Sequence, residues 1–329
     1  MTPRGPYRPH TRRVPSQSPA PVDSRTLDIL AAVADHRFLT TELLLLLFPP
    51  DAARTPTKAI TAALTKRAAA RGVPPEFSGA YVGSNLKKRV RALFHDGRLD
   101  RIPRGPGTPF AYALAGPGRA LLRKAGRLAS RREVIGPADH LFYVEHTLMI
   151  ARFRIALALA VRTHPSLTLV DSQRENRALR HAWREGGQRF SINPDGFFVL
   201  ADRTAPEGRN ARAAFLECDR GTISDLSRML VRYETYARLE ESGQLQDVFG
   251  ISAARIVTVA ATRERASDLL TLVAETDSLL LQRCRDRFLF TTEKAYPAHP
   301  TNVFAQIWRA ADKPAERNAL IPSPMPLRE

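Results

Sequence analysis

The chain has 329 residues, 43% hydrophobic and 25% charged, which is enough to bury a core and argues against global disorder. Its formal net charge of +17, from 50 Lys and Arg against 33 Asp and Glu, favours a polyanionic partner, nucleic acid above all. Two cysteines, Cys218 and Cys284, stand outside any metal-ligand spacing, so no zinc site or disulfide framework is expected and a reducing cytoplasm fits.

Residues 1–23 are rich in Pro and Arg, lack an apolar signal core, and read as a disordered basic arm. A first domain is expected over 24–134. SRTLDILAAVADH (24–36) sets Leu27, Leu30 and Val33 at helical spacing, and Thr40 or Thr41 can cap a second helix over the leucine run at 43–47. That run ends in LLLLLF (43–48), far short of the roughly 20 residues of a membrane span. An Ala-rich insertion follows at about 51–80. In the next helix Ser84 is a plausible N-cap. Leu86, Val90, Leu93 and Phe94 fall on one face there, and Ser84, Lys87, Lys88 and Arg91 on the other. A hairpin then turns through RGPGTP (104–109) and leads into another helix.

Helix, helix, basic helix and Gly/Pro-tipped hairpin is the order of a winged helix-turn-helix, and 84–135 holds 13 Lys or Arg against 3 Asp or Glu. This predicts the helix carrying Lys87, Lys88 and Arg91 in the major groove, with Arg101 and Arg104 of the hairpin on phosphate or minor groove. Winged helices also serve as protein-interaction modules, and basic helix faces are often simply solvated.

A second domain is expected over 135–309, with a mobile tail at 310–329. Its pattern is α-β-β-β-α-β-α-β, an α/β domain with a mixed sheet, so the chain is α+β overall. Two stretches put carboxylates at the ends of apolar runs: INPDGFFVL (192–200) and FLECDRGT (215–222). An antiparallel register centred on residue 206 sets Asp195 opposite Glu217, and strand alternation puts Asp219 on the same side as Glu217. Three carboxylates so placed can hold Mg²⁺ or Mn²⁺ and activate water against a phosphodiester. Strand-end ion pairs and an Asp-Gly turn explain the same residues without a metal. Glu145 and His146 on the preceding helix and Glu175 near the end of the first strand are accessory candidates, and His146 reads as well as a hydrogen-bonded core residue.

PDGFFVL with FLECDRGT, a helix containing RYETY (232–236) and the N-terminal winged-helix pattern resemble the replication-relaxation family of Gram-positive mobile elements. The resemblance covers most of 25–290. It implies a DNA-binding protein of a plasmid or mobile element, associated in the cytoplasm with nucleoid or plasmid. Its implied partner is double-stranded DNA; a second copy of the chain and plasmid replication or relaxation proteins are further candidate partners. The second domain also resembles the PD-(D/E)XK (restriction-endonuclease-like) superfamily, whose core is α-β-β-β-α-β. That match implies Asp195 as the "D" and Glu217 as the "(D/E)", with Glu145 as the first-helix acid. Asp219 stands where that superfamily usually has the lysine that polarises the attacking water. A migrated cation is sought at Arg228 or Arg232, one turn apart on the next helix. Three functions remain open: a non-enzymatic DNA-binding protein, a metal-dependent nuclease or nickase, and a winged-helix transcriptional regulator.

Overall fold

The computed structural model describes residues 13–14, 19–48, 82–128, 141–175, 177–206, 210–222, 225–296 and 303–320. The insertion expected at 51–80, most of the basic arm, and 321–329 lie outside the described residues. The chain divides into two units, Met1–Ala151 and Arg152–Glu329.

In the first unit α1 (Ser24–His36) is capped by Asp23, whose carboxylate accepts from the Thr26 amide at 2.8 Å and pairs with Arg89. Its buried stripe is Thr26, Ile29, Leu30, Val33 and His36, rotated from the expected one: Leu27 is only half-buried and Ile29 takes its place. A short β1 (Phe38–Thr40) follows, and Thr40 then caps α2 (Thr41–Leu47) by accepting from the Leu43 amide. α3 (Val82–His95) buries Leu86, Val90, Leu93 and Phe94, the apolar face read from the sequence. β2 (Leu99–Ile102) and β3 (Ala111–Leu114) form the hairpin, and β1 pairs antiparallel with β3, giving a three-stranded sheet in the order β1-β3-β2. α4 (Gly116–Lys124) follows. β1 escapes periodicity because three buried residues between two helices look like a continuation of either.

α5 (Leu141–Thr163) continues into the second unit, which is built on seven strands. They are β4 (Leu167–Arg174), β7 (Gly196–Asp202), β8 (Ala211–Asp219), β9 (Ala254–Ala260), β10 (Phe288–Thr292), β11 (Trp308–Ala310) and β12 (Lys313–Asn318). The sheet order is β12-β11-β10-β9-β8-β7-β4, with β8, β9 and β10 parallel to one another and the other pairings antiparallel. The chain is thus mixed α/β with a large mixed sheet.

β7 and β8 pair Gly196 with Leu216 and Phe197 with Phe215, the register centred on 206 that the acidic stretches predicted. One sheet face packs Phe197 and Phe215 under α6 (Leu226–Glu241) and α8 (Arg263–Ala274), with α7 (Gln244–Phe249) between them in the chain. The other face stacks Phe198 on Phe153 of α5, beside Tyr296 and Trp308.

Two features depart from the sequence reading. The run INPDGFFVL (192–200) is interrupted at Asn193–Asp195, and Ile192 closes β6 (Gln188–Ile192), which pairs with β5 (His181–Glu185) in a separate hairpin. Gly186 and Gly187 both have positive φ, 55° and 82°, the requirement of a type I′ turn. At the other end, Ala310 closes β11 and 313–318 form β12, so the part of the expected tail up to Asn318 is sheet. Trp308, fully buried, anchors that edge through a bond from its indole N–H to the Val303 carbonyl.

Candidate functional site

Asp195, Glu217 and Asp219 lie together at one end of the β7–β8 pair, on the face that meets α6 and α8. All three are buried, Glu217 to 1% exposure. A lone carboxylate at that depth costs several kcal/mol, so each must be compensated. β7 begins only at Gly196, so the Cys218 amide of β8 has no strand partner on that side. The Asp195 carboxylate supplies one, accepting from Cys218 N at 2.7 Å. Gly196 packs closely beside it: a Cβ there would sit 3.0 Å from the Gln173 carbonyl and 3.4 Å from the Leu216 side chain, tighter than most Cβ contacts.

Glu217 accepts from the Tyr236 hydroxyl and is ion-paired with Arg232 at 3.0 Å, both on α6. Burial, and then the Glu217 charge, hold the Tyr236 hydroxyl well above its ordinary pKa, which keeps it a proton donor. The Glu217 charge likewise raises the Arg232 pKa, so that pair is fixed as ions. Tyr233 is tied to Thr258 of β9, the register partner of Glu217, through hydroxyls 3.1 Å apart. Asp219 receives a bidentate pair from Arg265 of α8, both N–H···O distances 3.1 Å, and a bond from the Gly221 amide. Cys218, between the acids, has its thiol pushed well up by burial, then by Asp195 and Glu217, and is no nucleophile.

Arg265 was missed by sequence reading, because what brings it to Asp219 is the long-range pairing of β8 with β9. Asp219 pairs in register with Ala260, so the end of β8 lies beside the start of α8, and Thr262 caps that helix by bonding the Arg265 amide. Of the two arginines sought as a migrated cation, Arg232 reaches the cluster, while Arg228 is exposed on α6. Glu175 donates its amide to the Asp195 carbonyl at 2.7 Å, but its carboxylate pairs with Arg180 at 2.8 Å.

These carboxylates do not fit a divalent cation as they stand. Their oxygens are engaged by two guanidinium groups, a phenol and backbone amides, and among the described residues no three His, Cys, Asp or Glu side chains are grouped to hold a metal. The arrangement ties β8 to α6 and α8, and no general base stands free in it.

The basic candidates lie in the first unit. Lys87, Lys88 and Arg91 are exposed on α3, opposite its buried stripe; the description of side chains there begins at Asn85, past Ser84. The His95 pKa is lowered by burial first and then by the positive charges of Arg101 and Arg91, a sign of a positive local field. Arg101 is half-buried, its guanidinium 4.2 Å from the Phe94 ring centre and close to Phe110 and Tyr112. Arg104 forms a two-pronged ion pair with Glu145, one contact at 2.7 Å, and its side chain is 7% exposed. His146 is half-buried on the same helix. Three of the basic candidates thus face solvent, and two are engaged within the unit.

A family model described as replication-relaxation matches residues 30–253, about two thirds of the chain, taking in α3 and the acidic cluster but ending before Arg265. Neither the curated proteins nor the solved structures gave a match. Among the described residues no helix is long and apolar enough to cross a membrane.

Proposed function

The chain belongs to the replication-relaxation family, and from that premise we propose a DNA-binding protein of a plasmid or mobile element, acting in DNA replication or relaxation. The observation that carries this is the exposed Lys87, Lys88 and Arg91 on a helix whose other face is buried. A rigid helix presenting three cations suits phosphate contact and counterion release. Further support comes from the order α1, α2, α3, β2–β3 hairpin, which is that of a winged helix-turn-helix, with α3 as the groove-entering helix. Arg101 and Arg104 then act as the frame of the hairpin, and duplex contact falls mainly to α3. In the second unit, α5, β4, β7, β8, α6 and β9 follow the α-β-β-β-α-β order of the PD-(D/E)XK resemblance, with the β5–β6 hairpin as an insertion.

The test is fluorescence anisotropy with a labelled duplex. Lys87→Ala/Lys88→Ala/Arg91→Ala is expected to weaken binding by roughly tenfold or more at moderate salt with an unchanged melting temperature. Equal binding by the variant would overturn the reading.

The alternative of a metal-dependent nuclease is favoured by one observation, the shared face of Asp195, Glu217 and Asp219, and opposed by the arginines that occupy them. On our reading the cluster is an architectural tie, and supercoiled plasmid incubated with the protein and Mg²⁺ or Mn²⁺ stays supercoiled. Nicked or linear product, lost in Asp195→Ala/Glu217→Ala, would reverse that assignment.

A further inference from the structure

A second concentration of positive charge lies in the second unit, beyond the residues the family model covers. A cavity of about 520 Å³ opens between the start of α8 and the β10–β12 edge of the sheet. Arg263 comes from α8, Lys294 from the turn after β10, Arg309 from β11 and Arg317 from β12, with Thr292 at the end of β10 beside them, whereas the buried Thr291 hydroxyl donates to the Ile307 carbonyl at 2.9 Å. Among the described residues, no acidic side chain lines it. Glu264, the next residue after Arg263, lies outside the lining. Its carboxyl is held below the usual range by hydrogen bonds from its own backbone and Thr262, and then by the charges of Arg263 and Lys294. Arg309 is set in place by a 2.8 Å bond to the Pro314 carbonyl, while Arg263, Lys294 and Arg317 are exposed.

Four like charges from four elements repel one another, and burial of a core does not require them to meet. Charged residues on an edge strand discourage edge-to-edge pairing, but that role would be met by β12 alone and needs no convergence with α8. Converging cations in a groove too large for one phosphate group match a run of phosphates spaced along a strand. We infer that this groove binds the sugar–phosphate backbone of a nucleic acid, giving the chain a second contact separate from the α3 face. The inference goes beyond the proposed function and is independent of the α3 face, because the two surfaces share no residue.

The experiment uses the full chain with labelled duplex and single-stranded oligonucleotides at fixed moderate salt. It compares wild type, Arg263→Gln/Lys294→Gln/Arg317→Gln, the α3 triple variant and their combination. Three lost phosphate contacts are expected to weaken binding of at least one oligonucleotide by roughly tenfold or more, since each contact contributes a salt-linked factor. Arg263→Lys/Arg317→Lys, which keeps the charge, is expected to retain wild-type affinity. A groove variant that melts as wild type does and binds both oligonucleotides as tightly overturns the inference. So does a groove that serves a small anion only: inorganic phosphate would then raise the melting temperature of wild type and not of the variant, with DNA affinity equal in both. Loss in the groove variant with none in the α3 variant upholds the groove and sinks the α3 reading; the reverse pattern does the opposite.

Discussion

Glu217 and Asp219 alternate with the apolar Leu216 and Cys218 on a strand buried from Ala213 to its end, and each carboxylate meets an arginine from a different helix. The Arg265–Asp219 pair is the more enclosed, with side chains 12% and 6% exposed. Arg265→Ala should therefore cost about 3 kcal/mol, because it leaves a buried charge with only the Gly221 amide. Equilibrium urea unfolding would register this as a lower midpoint with unchanged slope, and adding Asp219→Ala should recover part of the loss. Tyr236→Phe removes the phenol donor to Glu217 and should cost about 1.5–3 kcal/mol, the range for a hydrogen bond to a charged group. The cysteines give a pH-dependent outcome. Burial pushes the Cys284 thiol up to about 11 and Cys218 well above its usual value, whereas unfolded thiols ionise near about 8.5. The native state thus holds these protons more tightly than the unfolded one. Their stabilising contribution is intact below about 8.5 and is lost as pH climbs through the native values. At pH 8 a disulfide reagent should label neither thiol promptly in the native protein and both after unfolding; prompt native labelling would contradict the burial argument.

At the scale of elements, sequence legibility followed the strength of local pattern. The 206-centred register was readable because PDGFF and FLECD are apolar runs of matched length about a short polar link, and a one-residue slip would turn Glu217 to the opposite face. The apolar face of α3 was readable from its spacing alone. The β5–β6 hairpin carried a Gly186–Gly187 signal but was absorbed into a longer strand, because the break at Asn193–Asp195 lacks a breaker other than Pro194. Arg265 was out of reach without the parallel register of β8 and β9, a long-range fact. The final strands were obscured by prolines and charge: AADKPAERN reads as tail, yet β12 is an edge strand, where both are tolerated. A chain ending at Asp312 should accordingly melt roughly 5 °C or more below the full chain, since it loses β12 and the bond from Arg255 to the Leu320 carbonyl. An unchanged melting temperature would show that β12 adds nothing to the sheet.

Across the whole molecule the +17 charge is unevenly used. Several arginines are structural: Arg89 holds the cap of α1, Arg104 pairs with Glu145, and Arg232 and Arg265 neutralise the acidic cluster. Those that face solvent in groups, Lys87, Lys88 and Arg91 on α3 and Arg263, Lys294 and Arg317 around the second-unit cavity, with the half-buried Arg309 beside the latter, are the ones we assign to a polyanion. A DNA-binding role predicts a property that a merely basic surface used for protein contacts lacks. The most direct measurement is duplex affinity across 50–200 mM salt for wild type and for Lys87→Ala/Lys88→Ala/Arg91→Ala, with log affinity plotted against log salt. The account predicts a steep negative slope for wild type and one shallower by roughly 2–3 in the variant, about 0.9 for each phosphate contact removed. Salt-independent binding, or the same slope in both proteins, would contradict it.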